Sequence, residues 1–118
     1  PLIIHCVRAY DAIAALKKQW KPTSPWIIHG FDKNPQTAAM LLKVGCYLSF
    51  GKALLRSNSH AAEALRQTPP ECYFLETDDA PELDIEAVYA RAAEILGTSV
   101  AAVSAQVQHN AGMLGIQW

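Results

Sequence analysis

Four short, mostly apolar runs recur along the chain, and a longer segment with helical periodicity follows each of them. The runs cover Leu2–His5, Trp26–His29, Cys46–Phe50 and Cys72–Glu76. Runs of this length, rich in aliphatic and aromatic residues, are typical of strands that are buried on both faces. Cys46–Phe50 instead alternates in polarity, which also indicates a strand. The pattern therefore predicts four strands connected by helices, with apolar positions buried in each.

The segments between the strands show the spacing and the end signals of helices. Ile13, Leu16 and Trp20 share one side of a helix predicted over 8–20. Asn34 followed by Pro35 is a typical helix start, because an asparagine cap and a first-turn proline both suit that end. Further helices are predicted over 37–44, 60–67, 85–96 and 100–107, with a short final turn over 109–114.

The order of the predicted elements is strand then helix, four times, followed by one additional helix. His29 lies 24 residues after His5, and this step is typical of a βα repeat with parallel strands and right-handed crossovers. Four such units form a small open sheet or half of a barrel. We expect an α/β fold, with residues 1–118 forming a single domain or a fragment of one.

Composition narrows the class of protein. The chain has 118 residues, 51% of them hydrophobic, so a packed core is expected. Its net charge is −1, so no overall positive charge indicates a nucleic-acid partner. The charge neither supports nor excludes DNA as a substrate. Three cysteines without metal-ligand spacing suggest reduced thiols and a cytoplasmic location. No apolar run approaches the ~20 residues that cross a bilayer, so no membrane partner is expected.

Histidines and acids close several of the predicted strands. His5 and His29 end two of them, while Glu76 and Asp78 flank Thr77 at the end of the fourth. The carboxyl ends of parallel strands meet on one face, so these residues are expected to become neighbours. A lone strand-end histidine is usually structural, and Asp78 could instead cap a helix. Two histidines and a carboxylate together suit Zn²⁺, Mn²⁺ or Fe, although three ligands make only a partial site.

Taken together, these motifs resemble the successive barrel-strand motifs of the TatD family of metal-dependent hydrolases. Each motif alone is weak, but their order and spacing are specific, and the resemblance extends from Pro1 to about Ile116. The matching segments are His5–Cys6 with Arg8, Ile27–Phe31, Tyr47–Gly51, Leu75–Asp78, and Asn110–Ala111 with Leu114.

The resemblance implies the last four units of a TIM-barrel-like, amidohydrolase-like fold that hydrolyses phosphodiester bonds in DNA, as a deoxyribonuclease or 3′-exonuclease. It implies one or two divalent ions, such as Zn²⁺, Mg²⁺ or Mn²⁺, with His5, His29 and Asp78 as ligands.

Asp78 would take a proton from water that the metal activates, and Glu76 would support it. Arg8 would neutralise charge on the phosphate. Lys52 is a further candidate for phosphate contact, because it follows a strand end.

The chain also departs from the family pattern. It has neither the His-x-His-x-Asp signature of the family's first strand nor the bridging glutamate of its fourth. We therefore expect that the missing N-terminal half, or a second chain, must complete the barrel, and that this chain alone has little or no activity without it. The acidic segment 79–84 after Asp78 is shorter than the loop of many family members, and its negative charge would repel a polyanionic substrate that approached the cleft.

Two other interpretations stay open. In the first, the chain is a non-catalytic α/β half-barrel stabilised by oligomerisation, and the strand-end histidines are structural. In the second, it is an amidohydrolase acting on an amide or a lactone. A serine-hydrolase interpretation is poor, because Ser49 has no histidine at a recognisable spacing.

Overall fold

The fold is a four-stranded parallel sheet with helices between successive strands. The computed structural model describes residues 2–5, 8–56, 59–77 and 84–116. Its strands are β1 (Leu2–His5), β2 (Trp26–His29), β3 (Tyr47–Phe50) and β4 (Tyr73–Leu75), paired in chain order. Its α-helices are α1 (Tyr10–Trp20), α2 (Pro35–Lys43), α3 (His60–Gln67), α4 (Ile85–Leu96) and α5 (Val100–Met113). The predicted α/β class and the parallel βα order are confirmed.

Several boundaries differ from the sequence-based predictions. The helix predicted from residue 8 begins at Tyr10, and α5 is one continuous helix through the segment predicted as a separate final turn. Short 3-10 helices at Lys52–Leu55 and Pro70–Cys72 were not predicted. These short elements depend on local chain reversals next to the sheet, and apolar periodicity carries little signal for them.

The helix starts follow the capping signals in the sequence. The Asn34 side chain accepts a hydrogen bond of 2.9 Å from the Thr37 N–H, and Pro35 occupies the first turn of α2. Ser59, Asp84 and Ser99 cap α3, α4 and α5 in the same manner. Each cap satisfies one backbone donor that the helix itself leaves without a partner, so the sequence specifies where these helices begin.

One face of the sheet packs against the helical layer. The Phe50 ring, at the end of β3, lies 5.7 Å from the Phe31 ring, and Phe31 lies 5.9 Å from Tyr10 of α1. Ile28 and Leu48, which neighbour each other in the sheet, are fully buried. The predicted burial of the strands is thus confirmed for β2, β3 and β4, whereas Leu2 and Ile3 of the edge strand β1 are 49% and 58% exposed.

The buried side chain of Asn110 joins α5 to the beginning of β4. Its amide nitrogen donates hydrogen bonds to the carbonyl oxygens of Pro70 and Tyr73, at 2.8 and 2.9 Å. Its carbonyl oxygen accepts a hydrogen bond of 2.9 Å from Gln106. These hydrogen bonds hold α5 against the sheet, because one side chain of the helix donates to both backbone carbonyl oxygens.

Two of the three cysteines lie in the described part of the chain, and both are partly or fully buried. Cys46 is buried, and desolvation raises the pKa of its thiol despite the nearby positive charge of Lys17. Cys72 is half-buried, and burial together with Glu71 raises its pKa as well. Both thiols therefore stay protonated at neutral pH. Cys6 lies outside the described residues.

The described α-helices have between 8 and 14 residues. None of them combines the length and the apolar character that crossing a bilayer requires.

Replacing Asn110 by alanine should destabilise the fold by about 2 kcal/mol, because two carbonyl oxygens would lose their buried donor. Urea unfolding followed by circular dichroism measures this change. Gln106→Ala is the matched control, since it removes only the bond to Asn110 and should cost about 0.5–1 kcal/mol. Equal losses in the two variants would contradict the assigned role of Asn110.

A second prediction concerns Gly51, where β3 ends. A methyl group there would lie 2.9 Å from the Glu76 carbonyl oxygen and 3.1 Å from its Cγ. Gly51→Ala should therefore cost about 1–3 kcal/mol of unfolding free energy. Gly112→Ala is the control, because an added methyl group there would meet no atom within 4 Å apart from its own helix backbone and chain neighbours, and alanine is the better helix former by roughly 0.5–1 kcal/mol. An unchanged unfolding free energy in Gly51→Ala would show that the backbone around residues 51 and 76 shifts to make room for the methyl group.

Candidate active site

The parallel register places the strand-end side chains beside one another. His5 of β1 pairs directly with His29 of β2, and the centroids of their rings are 5.8 Å apart. Ser49 is the third residue of β3, and Glu76 immediately follows β4. The expected neighbourhood of His5, His29 and Glu76 is therefore present at the carboxyl end of the sheet.

The Glu76 carboxylate is the centre of this group. Its Oε2 atom lies 2.8 Å from Nδ1 of His29. The hydroxyl group of Ser49 donates a hydrogen bond to the same oxygen. The side chains of His29 and Glu76 are 22% and 12% exposed. Two donors from two strands thus stabilise a largely buried carboxylate, which would be costly without them.

These polar side chains lie on the face of the sheet opposite to that of Phe50. Successive strand side chains alternate between faces, so Ser49 points away from the side on which Phe50 meets the helical layer. Two residues earlier along each strand, Tyr47 and Phe74 share the face of Ser49 and Glu76, and their rings lie 6.3 Å apart. An aromatic pair therefore forms the floor beneath the polar group.

The contact with Glu76 also selects the form of the His29 ring. When Nδ1 donates to a carboxylate, the neutral imidazole carries its lone pair on Nε2. A carboxylate on the second nitrogen is the usual support for a metal-binding histidine, because it fixes the ring and increases the basicity of the ligand. The residues present therefore fit a divalent metal, which His29 would hold through Nε2 together with the adjacent His5.

The described part of the chain does not form a complete metal site. Across residues 2–5, 8–56, 59–77 and 84–116, no group of three His, Cys, Asp or Glu side chains is arranged to hold a metal ion. Glu76 is directed to His29 and Ser49, which agrees with a supporting role. Asp78, predicted as the third ligand and the proton acceptor, lies outside the described residues, as does most of the acidic segment that follows it. Its role stays a prediction.

The two predicted phosphate contacts lie around the same end of the sheet. Arg8 is exposed between β1 and α1, where it lines a depression of about 450 Å³ together with Asp11 and Lys33. Lys52 is exposed at the start of the 3-10 helix that follows β3. Both side chains are therefore accessible to an anion, and neither has a described contact with the His29 and Glu76 pair.

Sequence reasoning missed the contribution of Ser49. The residue was considered only as a nucleophile, whereas in the structure its hydroxyl group contacts Glu76. Its position offered a signal, because a serine within the apolar run of β3 is 3% exposed and must find a hydrogen-bond partner. Gly51 was noted only as the last residue of the Tyr47–Gly51 segment, and its close approach to Glu76 could not be predicted from the sequence.

Comparison of the sequence with known proteins identifies relatives. The model of the family described as TatD related DNase matches residues 1–114. The uncharacterized metal-dependent hydrolase YcfH of Escherichia coli K12 is 31% identical over 80 residues. That match covers 66% of this chain and 30% of YcfH.

Solved structures give the same result for the fold. The TatD homolog YJJV from Escherichia coli matches 97% of the chain with a TM-score of 0.87 and 20% identity. A TatD family hydrolase from Entamoeba histolytica matches 95% with a TM-score of 0.80 and 16% identity. This chain covers 49% of each of those structures, so its four βα units correspond to about half of a TIM-barrel-like fold. The chain belongs to the TatD related DNase family.

Proposed function

We propose that this chain is the C-terminal half of a barrel that hydrolyses phosphodiester bonds in DNA, as a deoxyribonuclease or 3′-exonuclease. Family membership supports metal-dependent hydrolysis in general. The choice of DNA rests on the resemblance of the strand-end motifs and on Arg8 and Lys52, two cations accessible at the same end of the sheet. One or two divalent ions, Zn²⁺, Mg²⁺ or Mn²⁺, would serve the reaction.

The contact between His29 and Glu76 is the observation that carries this proposal. It pairs a strand-end imidazole with a carboxylate, directly beside a second imidazole from the neighbouring strand. If His29 were purely structural, it would not need a second histidine, His5, at the paired position of the neighbouring strand. His5 is exposed at the edge of the sheet. The same geometry is common where histidines bind catalytic metals.

Each residue has a distinct task in the proposed reaction. The metal, when bound, lowers the pKa of a water molecule so that it can attack phosphorus near neutral pH. His5 and His29 hold the ion, and Glu76 keeps the His29 ring in the ligating tautomer. Asp78 would accept the proton of the attacking water and return it to the alcohol oxygen that leaves as the P–O ester bond breaks. Arg8 and Lys52 bind the phosphate oxygens and balance the charge that develops on them.

The barrel must be completed by another set of strands. The edge strand β1 exposes Leu2 and Ile3 next to its unpaired side, and such an edge is suited to pairing with a further strand. We propose that an N-terminal half, or a second chain, pairs there and contributes the remaining metal ligands. Without that half the chain would bind metal weakly and hydrolyse DNA slowly.

We also propose that the protein works in the cytoplasm. Cys46 and Cys72 are free thiols, and protonated, partly or fully buried thiols are typical of proteins from a reducing compartment.

Metal binding tests the proposal most directly. We expect Zn²⁺ to bind the chain, measured by calorimetric titration, and His29→Ala or His5→Ala to weaken binding at least about tenfold, because each removes a ligand. His109→Ala is the matched control, since His109 is exposed on α5. Hydrolysis of a 3′-labelled oligonucleotide with Mg²⁺ or Mn²⁺ should decrease in parallel in the two ligand variants.

The outcomes separate the alternatives. Metal binding with equal affinity in all three histidine variants would favour the non-catalytic half-barrel and remove the basis for catalysis. Histidine-dependent metal binding with hydrolysis of an amide or a lactone, but not of DNA, would favour an amidohydrolase.

A further prediction isolates the role of Ser49. Ser49→Ala should weaken Zn²⁺ binding about 10- to 100-fold, because the carboxylate that orients His29 loses one of its donors. Ser104→Ala, a half-buried serine of α5, should leave the affinity unchanged. Unaltered binding in Ser49→Ala, with the fold intact by circular dichroism, would limit Ser49 to a structural role.

A further inference from the structure

A cleft of about 740 Å³ lies between α1 and α2. Its apolar part includes Ala14 of α1 and Met40 and Val44 at the end of α2. This volume falls within the range of small-molecule sites, which combine an apolar lining with a few convergent polar groups.

The charged groups of this cleft are all positive. The chain contains six lysines, and four of them line the cleft: Lys17, Lys18, Lys21 and Lys43. Among the described residues that line it, none is acidic. A chain with a net charge of −1 therefore places most of its lysines around one concavity, where they raise the local concentration of anions.

The cleft is separate from the proposed hydrolytic centre. Its residues precede the strands, since Lys21 comes before β2 and Gly45 before β3. His5, His29 and Glu76 lie at the opposite, carboxyl ends of the same parallel strands. A ligand in the cleft is therefore distinct from a substrate at the metal.

Support of the helix ends explains only part of the lysine cluster. Lys17, Lys18 and Lys43 lie in last helical turns, where cations interact favourably with the helix dipole. Lys17 also donates a hydrogen bond of 3.1 Å to the Val44 carbonyl oxygen. Lys21, however, lies beyond α1 and adopts the left-handed conformation, with φ of 47°. Glycine suits that backbone better, so a lysine there has a conformational cost.

We propose that the cleft binds a small phosphorylated molecule of nucleotide size. Lys18, Lys21 and Lys43 are exposed and would contact a group with two or more negative charges, such as a diphosphate. The apolar residues between the helices would contact the rest of the ligand. Lys17, already bonded to Val44, would contribute mainly through its charge.

The first experiment maps binding by nuclear magnetic resonance on the full chain in EDTA, which removes metal-dependent binding at the histidines. Adenosine 5′-diphosphate and inorganic pyrophosphate are the probes. We expect saturable shifts of amide resonances confined to residues 14–22 and 40–45. Adenosine 5′-diphosphate should bind more tightly than pyrophosphate, because its nucleoside also contacts the apolar residues of the cleft. Shifts centred on His5 and His29, or no saturation by either probe, would overturn the proposal.

Charge variants then test the lysines. Lys18→Gln combined with Lys43→Gln should weaken adenosine 5′-diphosphate binding about tenfold or more, because two of the four cations are removed. Arg56→Gln combined with Arg66→Gln is the matched two-charge control, because both side chains are exposed and neither lines the cleft, and this variant should bind normally. Equal affinity in the double variant and the native chain would overturn the assignment.

Lys21→Gly separates binding from folding. We expect it to bind adenosine 5′-diphosphate more weakly while its melting temperature is equal or higher, because glycine relieves the left-handed conformation. Undiminished affinity in this variant would exclude Lys21 from the site. Tighter binding of a single-stranded oligonucleotide to the same residues would overturn the small-molecule assignment in favour of nucleic acid.

Discussion

A carboxylate that is only 12% exposed at the end of a buried strand must find donors, and the candidate site depends on this constraint. Glu76 finds them in His29 and Ser49, each on a different strand. The three residues meet only if β2, β3 and β4 are parallel and in the observed register. The Glu76 N–H also donates a 2.9 Å hydrogen bond to the Phe50 carbonyl oxygen, so backbone pairing continues up to the carboxylate itself.

The two ends of the sheet carry different chemistry. At the carboxyl ends, imidazole and carboxylate groups lie above an aromatic floor, in an arrangement suited to a metal and to hydrolysis. At the amino ends, lysines surround an apolar cleft between two helices. Parallel strands produce this division directly, because every strand begins at one edge of the sheet and ends at the other.

Much of the fold could be predicted from the sequence. Apolar runs gave the four strands within one or two residues, and the caps Asn34, Ser59, Asp84 and Ser99 marked four helix starts. The pairing of His5 with His29 followed from equal strand-end positions. The contact of Ser49 with Glu76 and the close approach of Gly51 were not predicted, because each joins residues that are 25 or more positions apart, and no local pattern reports such a distance.

The sequence by itself determined the element order, the parallel topology and the family, because apolar periodicity, capping and motif spacing are local properties of the chain. Only the tertiary structure decided which atom of Glu76 contacts which nitrogen of His29, and that four lysines converge on one cleft. Those results depend on strand register, side-chain direction and helix packing. These contacts form when distant segments are brought within a few ångströms of one another. No short stretch of sequence specifies which side chains will meet in this way.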